Sequence, residues 1–389
     1  PDVNLADVET VLEGLASNCF YLQWDRNRYR FGLTPNLNQV LVSRRGAVQN
    51  KAIDERIRKQ TEKLFGKHSV EGSKFIERRF FPTRSNEVPE IPKLTLVIMG
   101  LDHAAEDKNT LALMESIVRD SGTSGRTMKS ALIFAVADPS ENTHDMAREA
   151  LAWEDINDDE ETKKSVDEGQ LKLLERNLNG SRRDLDEAIL RAYNHLYLLG
   201  KDNKLCHIPL GNITSSGAGL VQIYLERLGS SGGRDEVVEY VAPRKLLNYW
   251  PTALTEWSTK AVRDAFYSSP QLPRLLNPDA VKRMIATGVL DGLFGYATKD
   301  ASGRLKLEKL KESLLDAEVE ISDDVYILKG DDALKLKEPP RLAGLTIKPE
   351  QVSVKVGEQV SFQVAGVDQY GDPCPVTQTT WSATTGNIT

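Results

Sequence analysis

Apolar and polar positions change period several times along this 389-residue chain, and each change predicts an element. In "LADVETVLEGLASNCFYL" (residues 5–22), Val8, Val11, Leu12, Leu15 and Cys19 recur at helical spacing. "FYLQWDRNRYRFGL" then predicts two short strands around the polar turn "DRN". Thr34 is placed as an N-cap with Pro35 at the first helical position. A helix over about residues 50–65 sets Ile53, Ile57, Leu64 and Phe65 on one side and basic residues on the others. Beyond it, "FIERRFFP", "LTLVIMGL" and "SALIFAVAD" read as strands, the second almost wholly apolar, as in a strand covered on both faces. "EDKNTLALMESIVRDSG" and "ENTHDMAREALAWEDI" read as helices, and a long helical stretch is expected from near Val166 through "LDEAILRAYNHLYLL". Strand, helix, strand, helix in that order predicts a parallel sheet with crossovers.

The C-terminal half repeats the helix-then-strand pattern of the N-terminus. A helix near Thr259–Phe266 is followed by one from about Asn277 to Asp291, with Asn277 as cap and Pro278 in the first turn. "GLFGYAT" and "DDVYILKG" read as strands separated by the charged insert Lys299–Asp324. Helices leading into a two-stranded wing are the pattern of a winged helix. "KLKEPPRLAG" (335–344) is a Pro- and Lys-rich linker, after which "LTIKPEQVSVKVGEQVSFQVAGVDQYGDP" alternates apolar and polar residues between turn signals, predicting part of an all-β, Ig-like sandwich. The expected architecture is therefore multi-domain α/β: a winged-helix-like module (1–70), an α/β domain with a long helical stretch (71–240), a second winged-helix-like module (241–334), the linker, and a partial Ig-like domain (345–389).

One stretch invites a catalytic reading. "SGTSGRTMKSALIFAV" (121–136) has the glycines, hydroxyls and cations of a phosphate-binding loop. A P-loop, however, runs strand, loop, helix, so that backbone N–H groups and a helix N-terminus face the phosphates. Here the glycines follow a helix and precede a strand, and the spacing fails GxxxxGK[ST]. Gly122 and Gly125 are expected in an ordinary connector, and Asp102 at the end of "LVIMGLDHA" is expected to cap the loop it opens. No ATPase activity and no ATP affinity are expected of residues 1–389. No nucleophile–base spacing, catalytic carboxylate pair or cofactor fingerprint is legible either.

Composition narrows the classes further. Three cysteines (Cys19, Cys206, Cys374) lie far apart and five histidines are scattered singly, which points away from a disulfide framework or a metal site and towards a reducing cytoplasm. No apolar run approaches the roughly 20 residues needed to span a bilayer, and no membrane role is expected. The net charge of −7 conceals a polarity: residues 24–84 carry 15 Lys and Arg against 6 Asp and Glu, and residues 141–170 carry 3 against 11. Arg26, Arg28, Arg30, Arg44 and Arg45, with Lys282 and Arg283 on the second helix of the C-terminal module, are the candidate nucleic-acid contacts, because alternate residues of a strand share a face and a helix can enter a major groove. The alternative is that these arginines pair with the acidic stretch around Glu154–Glu161.

"RYRFGLTPNLNQVLVSRR", "SALIFAVADP…AREALAWEDI" and "PQLPRLLNPDAVKRMIATGVLDGLFGYA", in this order, resemble the later part of a family of large bacterial and archaeal AAA-type ATPases, relatives of the phage-growth-limitation and BREX defence ATPases (PglY/BrxC-like). The resemblance spans roughly residues 5–330, and the tail resembles a bacterial Ig-like (Big) repeat. It implies a P-loop with ATP and Mg²⁺ upstream of these motifs, no cofactor in this segment, and a role in a defence complex. The partners it implies are double-stranded DNA, other defence proteins and further copies of the parent ATPase. The competing expectation is a protein-binding scaffold with no nucleic-acid role.

Overall fold

The structure, a computed structural model, describes residues 5–19, 22–25, 28–31, 37–66, 71–138, 142–213, 219–355 and 357–382. The chain divides into two compact units: residues 1–240 with 263–280, and residues 241–262 with 281–389.

The first unit begins with α1 (Leu5–Asn18), the antiparallel hairpin β1 (Leu22–Asp25) and β2 (Arg28–Phe31), α2 (Leu37–Ala47) and α3 (Asn50–Gly66). There follow β3 (Glu77–Phe80), β4 (Thr95–Ile98), α4 (Lys108–Arg119), the two-residue pair β5 (Asp120–Ser121) and β6 (Ser124–Gly125), β7 (Leu132–Val136), α5 (Thr143–Asp158), α6 (Glu160–Ser165), α7 (Glu168–Ala192), β8 (His195–Leu199), β9 (Leu205–Pro209), α8 (Leu220–Leu228) and β10 (Val237–Val238). The Thr34–Pro35 helix start expected from the sequence lies outside the described residues.

The five-stranded sheet has the order β3-β4-β7-β8-β9. β3, β4 and β7 are parallel, while β8 and β9 are antiparallel. The fold is thus mixed α/β rather than purely parallel. The helix expected to run through "NHLYLL" stops at Ala192, and His195–Leu199 is a strand instead. Four apolar residues in a row that follow a helical pattern without a break carry no period of their own, and tertiary pairing decides their state. Side chains alternate across the sheet. Leu96, Ile98, Ile133, Ala135, Leu196 and Leu198 pack in one cluster with residues of α3, α5, α7 and α8. Val97, Met99, Leu132, Phe134, Val136 and Tyr197 pack in another with Met114, Ile117 and Val118 of α4. Burial on both faces explains the unbroken apolar runs of β4 and β7.

The stretch that resembles a phosphate loop is a connector built around Arg126. Gly122, at φ 65°, turns the β5–β6 hairpin. Arg126 is 2 % exposed. Its Nε donates to Ile117 O (2.7 Å), its Nη1 to Pro89 O (2.9 Å) and its Nη2 to Val88 O (2.9 Å), and its Nη1 lies 3.2 Å from the Glu90 carboxylate. Ile117 O is one of the carbonyls that the last turn of α4 leaves without a helical partner. Arg126 therefore caps a helix and ties down the loop before β4. Asp102, expected to cap, leaves that role to Asp107, whose carboxylate accepts from Thr110 N–H at 2.9 Å.

The remaining elements are α9 (Pro243–Asn248), β11 (Glu256–Ser258), α10 (Thr259–Ser268), β12 (Arg274–Leu275), α11 (Ala280–Leu290), β13 (Phe294–Lys299), β14 (Leu305–Lys309), β15 (Val325–Lys329), α12 (Gly330–Lys337), β16 (Leu342–Lys348), β17 (Gln363–Asp368) and β18 (Pro373–Cys374). β12 pairs in parallel with β10 in the first unit. The second unit holds an antiparallel sheet of order β11-β15-β13-β14 and a three-stranded sheet β16-β17-β18. Gly288 lets α11 approach β13: a Cβ there would stand 2.2 Å from Phe294 Cδ2.

Candidate functional site

Parallel strands carry their ligands beyond their carboxyl ends, where connecting loops and helix N-termini converge. At that edge of the first unit lies a cleft of about 290 Å³. α3 forms one wall with Asp54, Ile57, Arg58 and Thr61, a stripe at i, i+3, i+4 and i+7. Phe81, just past β3, and Gly100, Leu101 and Asp102, just past β4, form the opposite wall. His144, in the first turn of α5, and Tyr193, between α7 and β8, complete it.

Each wall is held by contacts that do not depend on a ligand. Tyr193 is fully buried and donates its hydroxyl to Met99 O at 2.7 Å, and burial raises its pKa well above the ordinary tyrosine value. Its ring meets Phe65 edge-on at 5.2 Å. Phe81 has φ 52°, a left-handed backbone that a bulky residue adopts only under constraint, and its N–H donates to Ile98 O at 2.7 Å. The Arg58 guanidinium lies 5.1 Å from the centre of the Phe81 ring. His144 Nε2 stands 3.4 Å from Asp54 Oδ1, and His103 Nε2 stands 3.8 Å from Asp102 Oδ2.

The other face of the same edge carries a second array. His195 Nδ1 and His207 Nε2 are 2.9 Å apart, so one proton lies between the two imidazoles. Asp138 is 3.8 Å from His195 Nε2 and Glu106 is 3.9 Å from His207 Nδ1. His207 stacks on Tyr197 at 4.6 Å and 12°, and the Tyr197 hydroxyl accepts from Glu106 N–H at 3.3 Å. Burial lowers the His207 pKa, the neighbouring His195 lowers it further, and Glu106 opposes both. Among the described residues, no group of three or more His, Cys, Asp or Glu is placed to hold a metal ion.

The sequence-predicted contact residues lie elsewhere. Arg26 is outside the described residues, Arg28 opens β2 and is exposed, and Arg30 lies in β2, paired across the hairpin with Gln23. Arg44 reaches Asp155 Oδ2 (2.9 Å) and Asp159 Oδ2 (2.7 Å), and Arg45 lies 3.7 Å from Glu149. Lys282, half-buried, and the exposed Arg283 are on α11, in the other compact unit. The cleft residues were not legible from spacing, since they come from positions 54 to 193. One signal was available: His103 and His144 follow the carboxyl ends of the predicted strands "LTLVIMGL" and "SALIFAVAD".

The fold and cleft define a mixed α/β protein with a small-ligand-sized recess at the carboxyl edge of its sheet. No protein-family model, no curated protein and no solved structure matches the chain.

Proposed function

We propose that the chain is a non-catalytic segment of a large AAA-type ATPase of a bacterial anti-phage defence system, and that it works in the cytoplasm by contact with double-stranded DNA through α11. The observation that carries this reading is the element order of the C-terminal module. α9, β11, α10, β12, α11, β13, β14 and β15 follow the order helix, strand, helix, two-residue strand, helix and three strands, and the sheet order β11-β15-β13-β14 joins the first strand to the last. That order supports a winged helix in which α11 stands in the recognition position, with Lys282 and Arg283 in its first turn. α1 followed by the β1–β2 hairpin supports the same reading of the N-terminus, and the antiparallel β16-β17-β18 sheet supports the Ig-like reading of the tail. ATP and Mg²⁺ belong, on this reading, to the upstream part of the parent protein.

The test is fluorescence anisotropy of the whole chain with a labelled duplex, beside the variant Lys282→Glu/Arg283→Glu. Wild type should bind at about 50 mM salt and weaken with a log–log slope of about −0.9 per neutralised phosphate, and the variant should lose affinity and part of that slope. Absence of wild-type binding, or equal binding by the variant, sinks the DNA role. A second reading, a protein-binding scaffold, is favoured by a separate observation: Arg44, Arg45 and Arg56 are occupied by Glu149, Glu154, Asp155 and Asp159 within the chain.

A further inference from the structure

We infer that the carboxyl-edge cleft binds a small zwitterion, an α-amino acid with an apolar side chain. The walls offer charges of both signs. Asp54 and Arg58 stand one helical turn apart on α3, a spacing that puts their Cβ atoms about 5–6 Å from each other. They do not close on one another: among the described residues, Arg58 has no ion-pair partner and lies over the Phe81 ring, while Asp54 faces His144. A third charge, the largely exposed Asp102, comes from the opposite wall. A simple anion would meet two carboxylates here, and a simple cation would meet Arg58. An ammonium and a carboxylate on one carbon satisfy both signs, the carboxylate on the guanidinium fork and the ammonium towards Asp54 and Asp102.

The rest of the cleft fits the remainder of such a molecule. Ile57, Phe81, Leu101 and Tyr193 present apolar surface for a side chain. At the base, Thr61 is fully buried and its Oγ1 completes no hydrogen bond. A buried hydroxyl left in that state is a spare donor and acceptor for a polar atom entering the cleft. The volume of about 290 Å³ lies at the lower end of ligand sites, which run from about 300 to 1,000 Å³, and so limits the occupant to a molecule of amino-acid size. Phe81, the strained residue, forms part of the wall, and strain of this kind is retained where the surroundings impose it, commonly at binding sites.

The experiment is isothermal titration of the full chain with L-leucine and L-phenylalanine, beside N-acetyl-L-leucine, which lacks the ammonium, and L-leucinamide, which lacks the carboxylate. At least one amino acid should bind with a Kd of about 1 mM or tighter, and each single-charge analogue should bind about tenfold or more weakly. Arg58→Gln should abolish the preference over leucinamide, and Asp54→Asn the preference over N-acetyl-leucine. Both positions are exposed, so melting temperatures should not change. The proposal is overturned if neither amino acid binds at about 20 mM. It is equally overturned if N-acetyl-leucine binds as tightly as leucine, or if Arg58→Gln binds unchanged.

Discussion

Arg126→Ala isolates the connector that resembles a phosphate loop. In the wild type the guanidinium satisfies Ile117 O, Pro89 O and Val88 O and pairs with Glu90, whose other oxygen accepts from Thr127 N–H and Met128 N–H. Alanine leaves several carbonyls in a buried pocket without donors, and each such group costs about 1–3 kcal/mol. Breaking a buried charge pair costs about 3–5 kcal/mol by comparison with other proteins. The two routes describe overlapping losses and are not summed, and Glu90 is partly exposed, which moderates the second. A loss of about 3–5 kcal/mol follows, and at about 2–4 °C per kcal/mol the melting point of this unit should fall by about 10 °C. Differential scanning calorimetry and urea unfolding measure it, with Lys129→Ala as the control from the same stretch, expected within about 0.5 kcal/mol of wild type. If Arg126→Ala melts within about 2 °C of wild type, water replaces the guanidinium at little cost and the capping role assigned to Arg126 is wrong.

Two further outcomes follow from packing and titration. Gly288→Ala gains about 1 kcal/mol of helix propensity but drives a methyl into the buried Phe294 ring, an overpacking cost of about 1–3 kcal/mol. Guanidinium unfolding should show net destabilisation, and a stabilised variant would mean that α11 and β13 are not in close contact. For His207 the lowered pKa means that the unfolded chain takes up its proton first, so stability should fall as pH drops below about 6.5 towards the folded value. The groups facing it are His195, Glu106 and Tyr197, and His207→Gln should flatten the wild-type slope between about pH 7 and 5 in thermal melts. An unchanged slope would assign the pH response to other groups.

The strands buried on both faces were legible because burial removes the need for alternation: "LIFAV" is apolar throughout and "TLVI" is apolar after its first residue. "HLYLL" was not, because it continues a helical pattern and only its pairing with β7 and β9 makes it a strand. β9, "LCHIP", was missed for the opposite reason: it is an edge strand, half-exposed, with a histidine and a cysteine where a pattern would want apolar residues. The wall of the cleft on α3 could be found as a helical stripe, but not what it faces. Phe81, Asp102, His144 and Tyr193 come together only because β3, β4 and β7 are parallel and end at one edge, a property of strand order that local periodicity does not encode. Arg126 was invisible as a cap because its partners are backbone carbonyls, which have no sequence signature.

The charge polarity along the chain has a structural consequence that differs from its first implication. A basic stretch and an acidic stretch of similar size are what an electrostatic footprint on nucleic acid and its counterweight would look like. Folding places α2 and α3 against α5, so that Arg44 meets Asp155 and Asp159 and Arg56 meets Glu154, which Arg182 of α7 also reaches. The partly exposed pairs are each worth about 0–1 kcal/mol, too little to explain the packing, which rests on buried residues such as Leu37, Trp153, Ile156 and Leu178. What the pairs change is availability. A cation already matched by carboxylates releases fewer counterions from a phosphate backbone, because it must first give up its partner. Any DNA affinity of this chain should therefore depend little on Arg44 and Arg45, and Lys282 and Arg283 are the second basic pair to set beside them. Charge reversal at the two pairs of positions, read as two salt slopes, distinguishes a contact surface on α11 from one on α2.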